Sequence, residues 1–517
     1  MQGKHSVRVW GSAAAFVAAG VALRLYDLRG PSLWFDEGGS LRATNQSTFS
    51  GMFSDLLHTA HGDRFQPLYF IALWCWRQLF GSGVLSLRLP SALLGIAAVV
   101  VLALAARLLY GTEAGLWCAF FSTPSALLII HSQEARPYAL LILLVAAQFA
   151  CLLWVRGREP RPSPAGLWLF WVVTGVACFA SVLAWLSTAA LAAAEAAVDR
   201  DPRRWLRRWL PAFVATLPAI VFFLASGVAG APSEAQVTRL GGSLLRNAAF
   251  AVYGMLVGTT YGPPIQRLQA DHGLHVLAPY WPELLVFAVV SLGLVSAFVA
   301  AWRRPAADAG RRRTEAVLAL ALAGSFVLMI VFAAATKLNW QPRHSFFLVV
   351  PFALLVPALP AAWSERGAAW RGWGLYARLA VVALVALNCY SLVHYYFDPA
   401  YARDDYRGAA QYVVSHSGPQ QPAVVLNGVI QLLEYYGARD MVDGTALDQT
   451  RLATAVEAVT HDSPHVLLVV NRQPAYWKQT GSVPAAIGSV YRLEGTRHLA
   501  YFDIYSLARR PLAAGPQ

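Results

Sequence analysis

Two adjacent carboxylates, Asp36 and Glu37, close the stretch Pro31-Ser32-Leu33-Trp34-Phe35-Asp36-Glu37, just past the first apolar run of the chain. A carboxylate held at a membrane surface can take a proton from an acceptor hydroxyl as a general base, or it can ligate a divalent cation. The same residues also read as a helix start, with Asp36 capping a helix from about Gly38 to Gln46. A second charged stretch, Ser132-Gln133-Glu134-Ala135-Arg136-Pro137-Tyr138, lies between two apolar runs. Ionisable groups at that depth are costly unless paired or functional. Glu134 is therefore a candidate second active-site carboxylate and Arg136 a phosphate contact. The alternative is a Glu134–Arg136 ion pair at the start of the helix that begins at Pro137. A third stretch carries Lys337, Arg343 and His344 in a short loop, where the cations suit either a lipid phosphate or snorkelling to the interface. Arg64 and Arg88 flank the run 67–80 and have the same two uses.

These groups need elements to hold them, and the composition says which. Of 517 residues, 57% are hydrophobic and 13% charged, which excludes an ordinary soluble domain and points to a polytopic membrane protein. The net charge of +13 sits in short clusters between apolar runs, so it reads as topology and not as a nucleic-acid surface. Those clusters are Lys4/Arg8, Arg107, Arg156/Arg158/Arg161, Arg200–Arg208, Arg303–Arg313 and Arg366/Arg371. Placed on the cytoplasmic side, they require an even number of crossings between neighbours. Helices then fall near 7–26, 88–109, 114–132, 137–155, 165–181, 183–199, 209–229, 281–302, 314–335, 344–361 and 373–394. That is about eleven spans, with the N-terminus inside. The first run follows Lys4 and Arg8 like a signal peptide but is read as a retained helix. Pro67–Phe80 would be roughly 21 Å long as a helix, short of the ~30 Å apolar core. With Tyr69, Trp74, Trp76 and Arg77 it reads as a helix lying in the membrane surface.

The outside then holds a long loop (27–87), the turn 132–136, a second long loop (230–280), the loop 336–343 and a polar tail from about 396. The tail alternates helical and strand-like segments, which gives a membrane domain over 1–395 and a small extracytoplasmic α/β domain over 396–517. The five cysteines show no CxxC spacing, so neither a disulfide framework nor a zinc ribbon is read. No cofactor is certain. The weak candidates for a divalent metal are His58 and His61 in one long loop, with Asp63, and His272 and His275 in the other. Solvated loop histidines are the competing reading.

The ordered set of motifs is similar to that of the membrane glycosyltransferases with the GT-C fold. It comprises the Asp36-Glu37 pair, Pro67-Leu68-Tyr69, Phe80-Gly81, Arg88-Leu-Pro-Ser-Ala-Leu-Leu-Gly95, Ser132–Leu140, Pro342-Arg343-His344 and Asp404–Ala410. The closest pattern is the family 39/83 group, which includes protein O-mannosyltransferases and the lipid A aminoarabinose transferase. The resemblance implies a polytopic helical GT-C protein with a surface-lying helix and a C-terminal α/β extracytoplasmic domain. It implies catalytic acids at Asp36 and Glu134; Glu37, Arg64, Tyr69, Arg88, Arg136, Tyr138, Lys337, Arg343 and His344 are the candidates around donor phosphate and substrate. It implies a polyprenyl-phosphate sugar donor, membrane lipid, and an extracytoplasmic glycan, lipid or protein acceptor, in a cell membrane. Two departures stand out. Phe65-Gln66 replaces the usual His-Pro before Pro67, which leaves the donor sugar open, and Glu134 stands where several relatives carry Asp. The rival function is a non-catalytic transporter or carrier of lipid-linked sugars, and a weaker one is an assembly scaffold.

Overall fold

The computed structural model describes the chain except residues 1, 60–61, 160, 230–243, 271–272, 304–308, 339, 358, 361–370, 445–446, 448–450, 462, 473–482 and 512–517. Each of the eleven expected spans has a helical counterpart. Six are long and apolar enough to cross a membrane: Val84–Tyr110, Tyr138–Arg156, Val182–Asp199, Leu274–Trp302, Ala309–Thr336 and Gly372–Phe397. Two more are bent pairs, Thr112–Ser122 with Ala126–Ser132 at 65°, and Pro202–Ala215 with Leu217–Ala229 at 43°. Gly11–Leu25, Pro164–Ala180 and Pro342–Leu355 are shorter apolar helices. The protein is a multi-pass membrane protein.

One expectation is corrected. The second long loop, 230–280, contains an apolar helix, Leu244–Val257, whose Ala248, Ala251, Met255 and Val257 are buried in the main core. Pro67–Phe80 is a 14-residue helix, buried through Tyr69, Phe70 and Leu73 and exposed at Leu79 and Phe80.

The break at Ser122–Ala126 shows how the sequence shapes the region that matters. Pro124 has no N–H and stops the first helix, which strands carbonyls on one side and N–H groups on the other. In an apolar setting each such group costs several kcal/mol if left bare, on the order of 2–7. Arg24, fully buried, donates to the carbonyls of Thr123 (3.1 Å) and Ser122 (3.3 Å). Asn388 accepts the N–H of Ala126 at 2.9 Å and donates to the carbonyl of Leu256 at 2.8 Å. The broken helix is thus tied to three others. At the far end of Tyr138–Arg156, Arg156 pairs with Glu195 (2.7 Å) and Asp199 (2.6 Å), and Arg208 with Glu159 and Glu195.

By its internal contacts the chain divides into two units. The helical unit comprises Met1–Leu28 and Ala43–Tyr401. The α/β unit comprises Ala402–Gln517 together with Arg29–Arg42, the segment that carries Asp36 and Glu37. Its sheet has five strands, β1 (Ala423–Leu426), β2 (Met441–Asp443), β3 (His465–Asn471), β4 (Tyr491–Leu499) and β5 (Phe502–Arg509), in the order β2-β1-β3-β5-β4. β1 is parallel to both β2 and β3, while β5 is antiparallel to β3 and β4. The continuous apolar run of β3 is buried on both faces, as a central strand requires. β4 is one of the two edges, and its Arg492, Glu494 and Arg497 guard it against further pairing. The unit's helices Tyr406–His416, Ile430–Tyr435 and Leu452–Val459 alternate with its strands, as the tail's pattern predicts.

Candidate active site

Within the helical unit, the turn between Ala126–Ser132 and Tyr138–Arg156 is held from three sides. The Gln133 amide donates to the carbonyls of Leu23, Arg24 and Tyr26 at 3.2, 3.2 and 2.8 Å. Ser91 donates to the carbonyl of Arg136 at 3.2 Å and shares a 2.8 Å hydrogen bond with the Tyr69 hydroxyl. Gly95 lets the neighbouring helix approach. A Cβ there would lie 2.0 Å from Ser132 Oγ and 2.7 Å from Ser132 Cβ, so no larger residue fits without moving the turn.

On this frame sit two buried polar pairs. Glu134 Oε2 lies 2.8 Å from His131 Nδ1, with both side chains under a tenth exposed. The imidazole is fixed between the rings of Tyr138 and Phe346, at centroid distances of 4.8 and 5.1 Å. Arg136 Nη1 donates to Asp63 Oδ1 at 3.1 Å, and its guanidinium stands 5.9 Å from the Phe70 ring. Glu134 and Arg136, whose mutual pairing is one reading of the sequence, thus have buried polar partners in His131 and Asp63.

The structure therefore brings Glu134, Arg136, Tyr69 and Tyr138 onto one turn and its supports. Arg88, buried in the same helix as Ser91, donates to the carbonyl of Leu28 at 3.1 Å. Arg64 donates to the carbonyls of Thr59 and Ser226 at 3.3 and 3.5 Å. Lys337 is exposed, in the left-handed region at φ 55°. Arg343 and His344 are half-buried in a short 3-10 helix, Pro342–Leu348, where His344 Nδ1 accepts the N–H of Gln341 at 3.1 Å. His344 thus completes a capping box in which Gln341 is the cap.

In the α/β unit, the helix carrying the acidic pair runs from Phe35 to Ala43, not from Gly38. It starts before Asp36, so Asp36 is not its cap. Glu37 does that work: its Oε2 accepts the N–H of Trp34 at 3.3 Å. Asp404 Oδ2 accepts the N–H of Phe35 at 3.4 Å. Glu37 is buried and Asp36 half-buried, in the first turn, where the helix dipole favours negative charge. The segment is bound to its unit by Ser32 Oγ donating to the carbonyl of Asp404 (2.7 Å) and by Leu33 N–H donating to the Tyr436 hydroxyl (2.7 Å). Gly38 allows the close approach, since a Cβ there would stand 3.0 Å from Val429 Cγ1 and Leu432 Cδ1.

Two of the four metal candidates are described. His58 is exposed, with Nδ1 2.7 Å from the carbonyl of Ser54. His275 is exposed as well, and His61 and His272 lie outside the described residues. Among the described residues no group of three or more His, Cys, Asp or Glu side chains could hold a metal ion. Sequence reasoning missed His131, whose signal was its place three residues before Glu134 on a helix end. It also missed the roles of Asp404, Tyr406 and Tyr436 in seating the Asp36 helix.

No family model and no curated protein matches the sequence. Solved structures do. ArnT from Cupriavidus metallidurans bound to undecaprenyl phosphate superposes with a TM-score of 0.57 at 16% identity, covering 98% of this chain and 99% of that one. The apo state of the same protein gives 0.58 at 15% identity, with the same coverage. The archaeal oligosaccharyltransferase AglB from Archaeoglobus fulgidus, in complex with an inhibitory peptide and a dolichol-phosphate, gives 0.55 at 10% identity, covering 99% of this chain and 75% of that one. Over nearly its whole length, the chain has the GT-C fold.

Proposed function

We propose that this protein is an integral-membrane inverting glycosyltransferase. It moves a sugar from a polyprenyl-phosphate donor to an extracytoplasmic glycan, lipid or protein acceptor. The observation that carries the reading is the buried turn with Glu134 on His131 and Arg136 on Asp63, set in a fold shared with structures solved with undecaprenyl phosphate and dolichol-phosphate. The protein belongs in a cell membrane, with the N-terminus cytoplasmic and the α/β unit outside, as the arginine clusters of the sequence favour.

In the proposed reaction the acceptor oxygen attacks the anomeric carbon. Asp36 takes the acceptor's proton as the new C–O bond forms. The bond from the anomeric carbon to the phosphate oxygen breaks on the opposite side, inverting the carbon and releasing polyprenyl phosphate. That leaving group is already an anion, so it needs cations more than a proton donor. Arg343 and Lys337 are assigned to it, with Arg136. Glu134 orients the acceptor or the sugar. A positioned carboxylate base is worth about 10²–10⁴ in rate, and positioning supplies much of the rest.

Mass spectrometry of envelope glycans, lipids and proteins from a strain lacking the protein tests the reading. One glycosyl substituent is expected to disappear, with the unmodified acceptor in its place. An envelope of unchanged composition contradicts it.

A further inference from the structure

The parallel half of the sheet in the α/β unit has a topological switch. The chain passes from β1 to β2 on one side, then crosses back to β3 on the other side of β1. In open α/β sheets the crevice beyond the carboxyl ends of the two strands at such a point is where ligands bind. β1 and β3 are in register through Leu426 opposite Val470, so the next residues out, Asn427 and Asn471, stand side by side at that edge.

Asn427 has features that packing alone does not explain. It is only 6% exposed and takes the left-handed conformation at φ 57°. Its amide Nδ2 is buried, and among the described residues it donates to no acceptor. A buried donor left bare costs about 1–3 kcal/mol, so an amide kept in that state points to an absent oxygen. Asn471, fully buried, donates from Nδ2 to the Tyr406 hydroxyl at 3.3 Å, and the same hydroxyl accepts the N–H of Val429 at 3.1 Å. Val429 is also what Gly38 of the Asp36 helix packs against. One turn earlier on that segment, Trp34 Nε1 is a second buried N–H with no acceptor among the described residues. The indole lies 5.6 Å from the Arg403 guanidinium.

The open valences here are two neutral N–H donors, an amide and an indole. They call for oxygen acceptors. Glu37 and Asp404, buried at 1% and 2% exposure, balance the cations Arg403 beside the indole and Arg472 next to Asn471, which leaves no net attraction for an anion. Neutral polyols with ring and hydroxyl oxygens fit this set of donors and aromatic faces.

We propose that the carboxyl edge of β1 and β3, at Asn427 and Asn471 with Trp34, is a binding site for a neutral carbohydrate, and that it seats the acceptor glycan. The acceptor role rests on the glycosyltransferase reading, whereas the binding site does not. Because the Asp36 helix is built into the same unit, a glycan seated here is delivered on the element that carries the base.

The test uses the full chain in lipid nanodiscs and four probes: chitotetraose and maltotetraose as neutral oligosaccharides, tetragalacturonate as an anionic one, and a neutral blocked tetrapeptide. Binding is read by saturation-transfer NMR and titration calorimetry. Asn427→Gly removes the amide where glycine takes φ 57° without strain, so folding is retained. Trp34→Phe keeps a ring and removes the N–H. The proposal expects at least one neutral oligosaccharide to bind, and each variant to weaken it about threefold to tenfold, as for one hydrogen bond. The melting temperature stays within error of wild type. Absence of neutral-oligosaccharide binding, binding unaffected by Asn427→Gly, or preferred binding of the galacturonate or the peptide overturns it. Variant-sensitive carbohydrate binding in a protein that transfers no sugar keeps the site and overturns its acceptor role, together with the glycosyltransferase reading.

Discussion

Glu134 and Asp36 are both acids next to apolar sequence, yet they are held in opposite ways. Glu134 belongs to the helical unit. Its turn is clamped by Gln133 on three carbonyls, by Ser91, and by the close approach at Gly95, and its carboxylate is matched to His131 between two rings. Asp36 belongs to the α/β unit, on a short helix seated by Ser32, Leu33 and Gly38 against residues some 370 to 400 positions later in the chain. The comparison teaches that one acid is fixed by membrane-type packing, where every backbone group must be satisfied internally. The other is carried by a small sheet domain. The two positions can therefore be perturbed separately.

The largest effect is expected at the acids themselves. Asp36→Asn and Glu134→Gln should each lower the transfer rate about 10²–10⁴-fold, with unaltered folding by size-exclusion profile and melting temperature. Loss in both would place both acids in the chemistry; full activity in either removes that residue from it. Next, Arg136→Met takes the guanidinium away from the buried Asp63 carboxylate and should destabilise the helical unit by about 3–5 kcal/mol. Asp63→Asn in the same protein should recover most of that in thermal unfolding, and no recovery would mean the pair is not what holds the turn. Gly95→Ala forces a methyl group onto Ser132 and should cost about 1–3 kcal/mol, with activity falling through the Glu134 side alone. The smallest effect belongs to the other unit. Tyr436→Phe removes the acceptor of the Leu33 N–H and should cost about 0.5–1.5 kcal/mol. It should lower activity a few-fold through Asp36 while leaving the Asp63–Arg136 double-mutant energy unchanged; a shift in that energy would show that the two sites are not separable.

Much of the fold was legible because apolar length and arginine clusters act locally. Eleven runs between basic anchors correspond to helices in the structure. The breaks were not legible: Pro124 could have been an ordinary kink, and only Arg24 and Asn388, distant in sequence, make a full break tolerable. Leu244–Val257 was hidden by Arg246 and Asn247 at its start and by a length of only 14 residues. β2, three residues long, is too short to show a period of two. In the site, Glu134 and Arg136 stand out in the sequence because charge is rare between apolar runs, while Tyr69 and Tyr138 enter as parts of the motifs that carry the resemblance. His131 did not, since it closes the run Ala-Leu-Leu-Ile-Ile-His-Ser and reads as part of it. The membership of residues 29–42 in the α/β unit could not be read at all, because it depends on pairings such as Ser32 with Asp404 that have no local signature.

The central claim is that sugar is transferred, with inversion, from a polyprenyl-phosphate donor. Purified full-length protein incubated with a labelled polyprenyl-phosphate sugar and acceptor, followed by NMR of the product's anomeric carbon, tests it most directly. The account predicts release of free polyprenyl phosphate and a glycosidic bond of opposite configuration to the donor. Binding without release, or a product that keeps the donor's configuration, would contradict it.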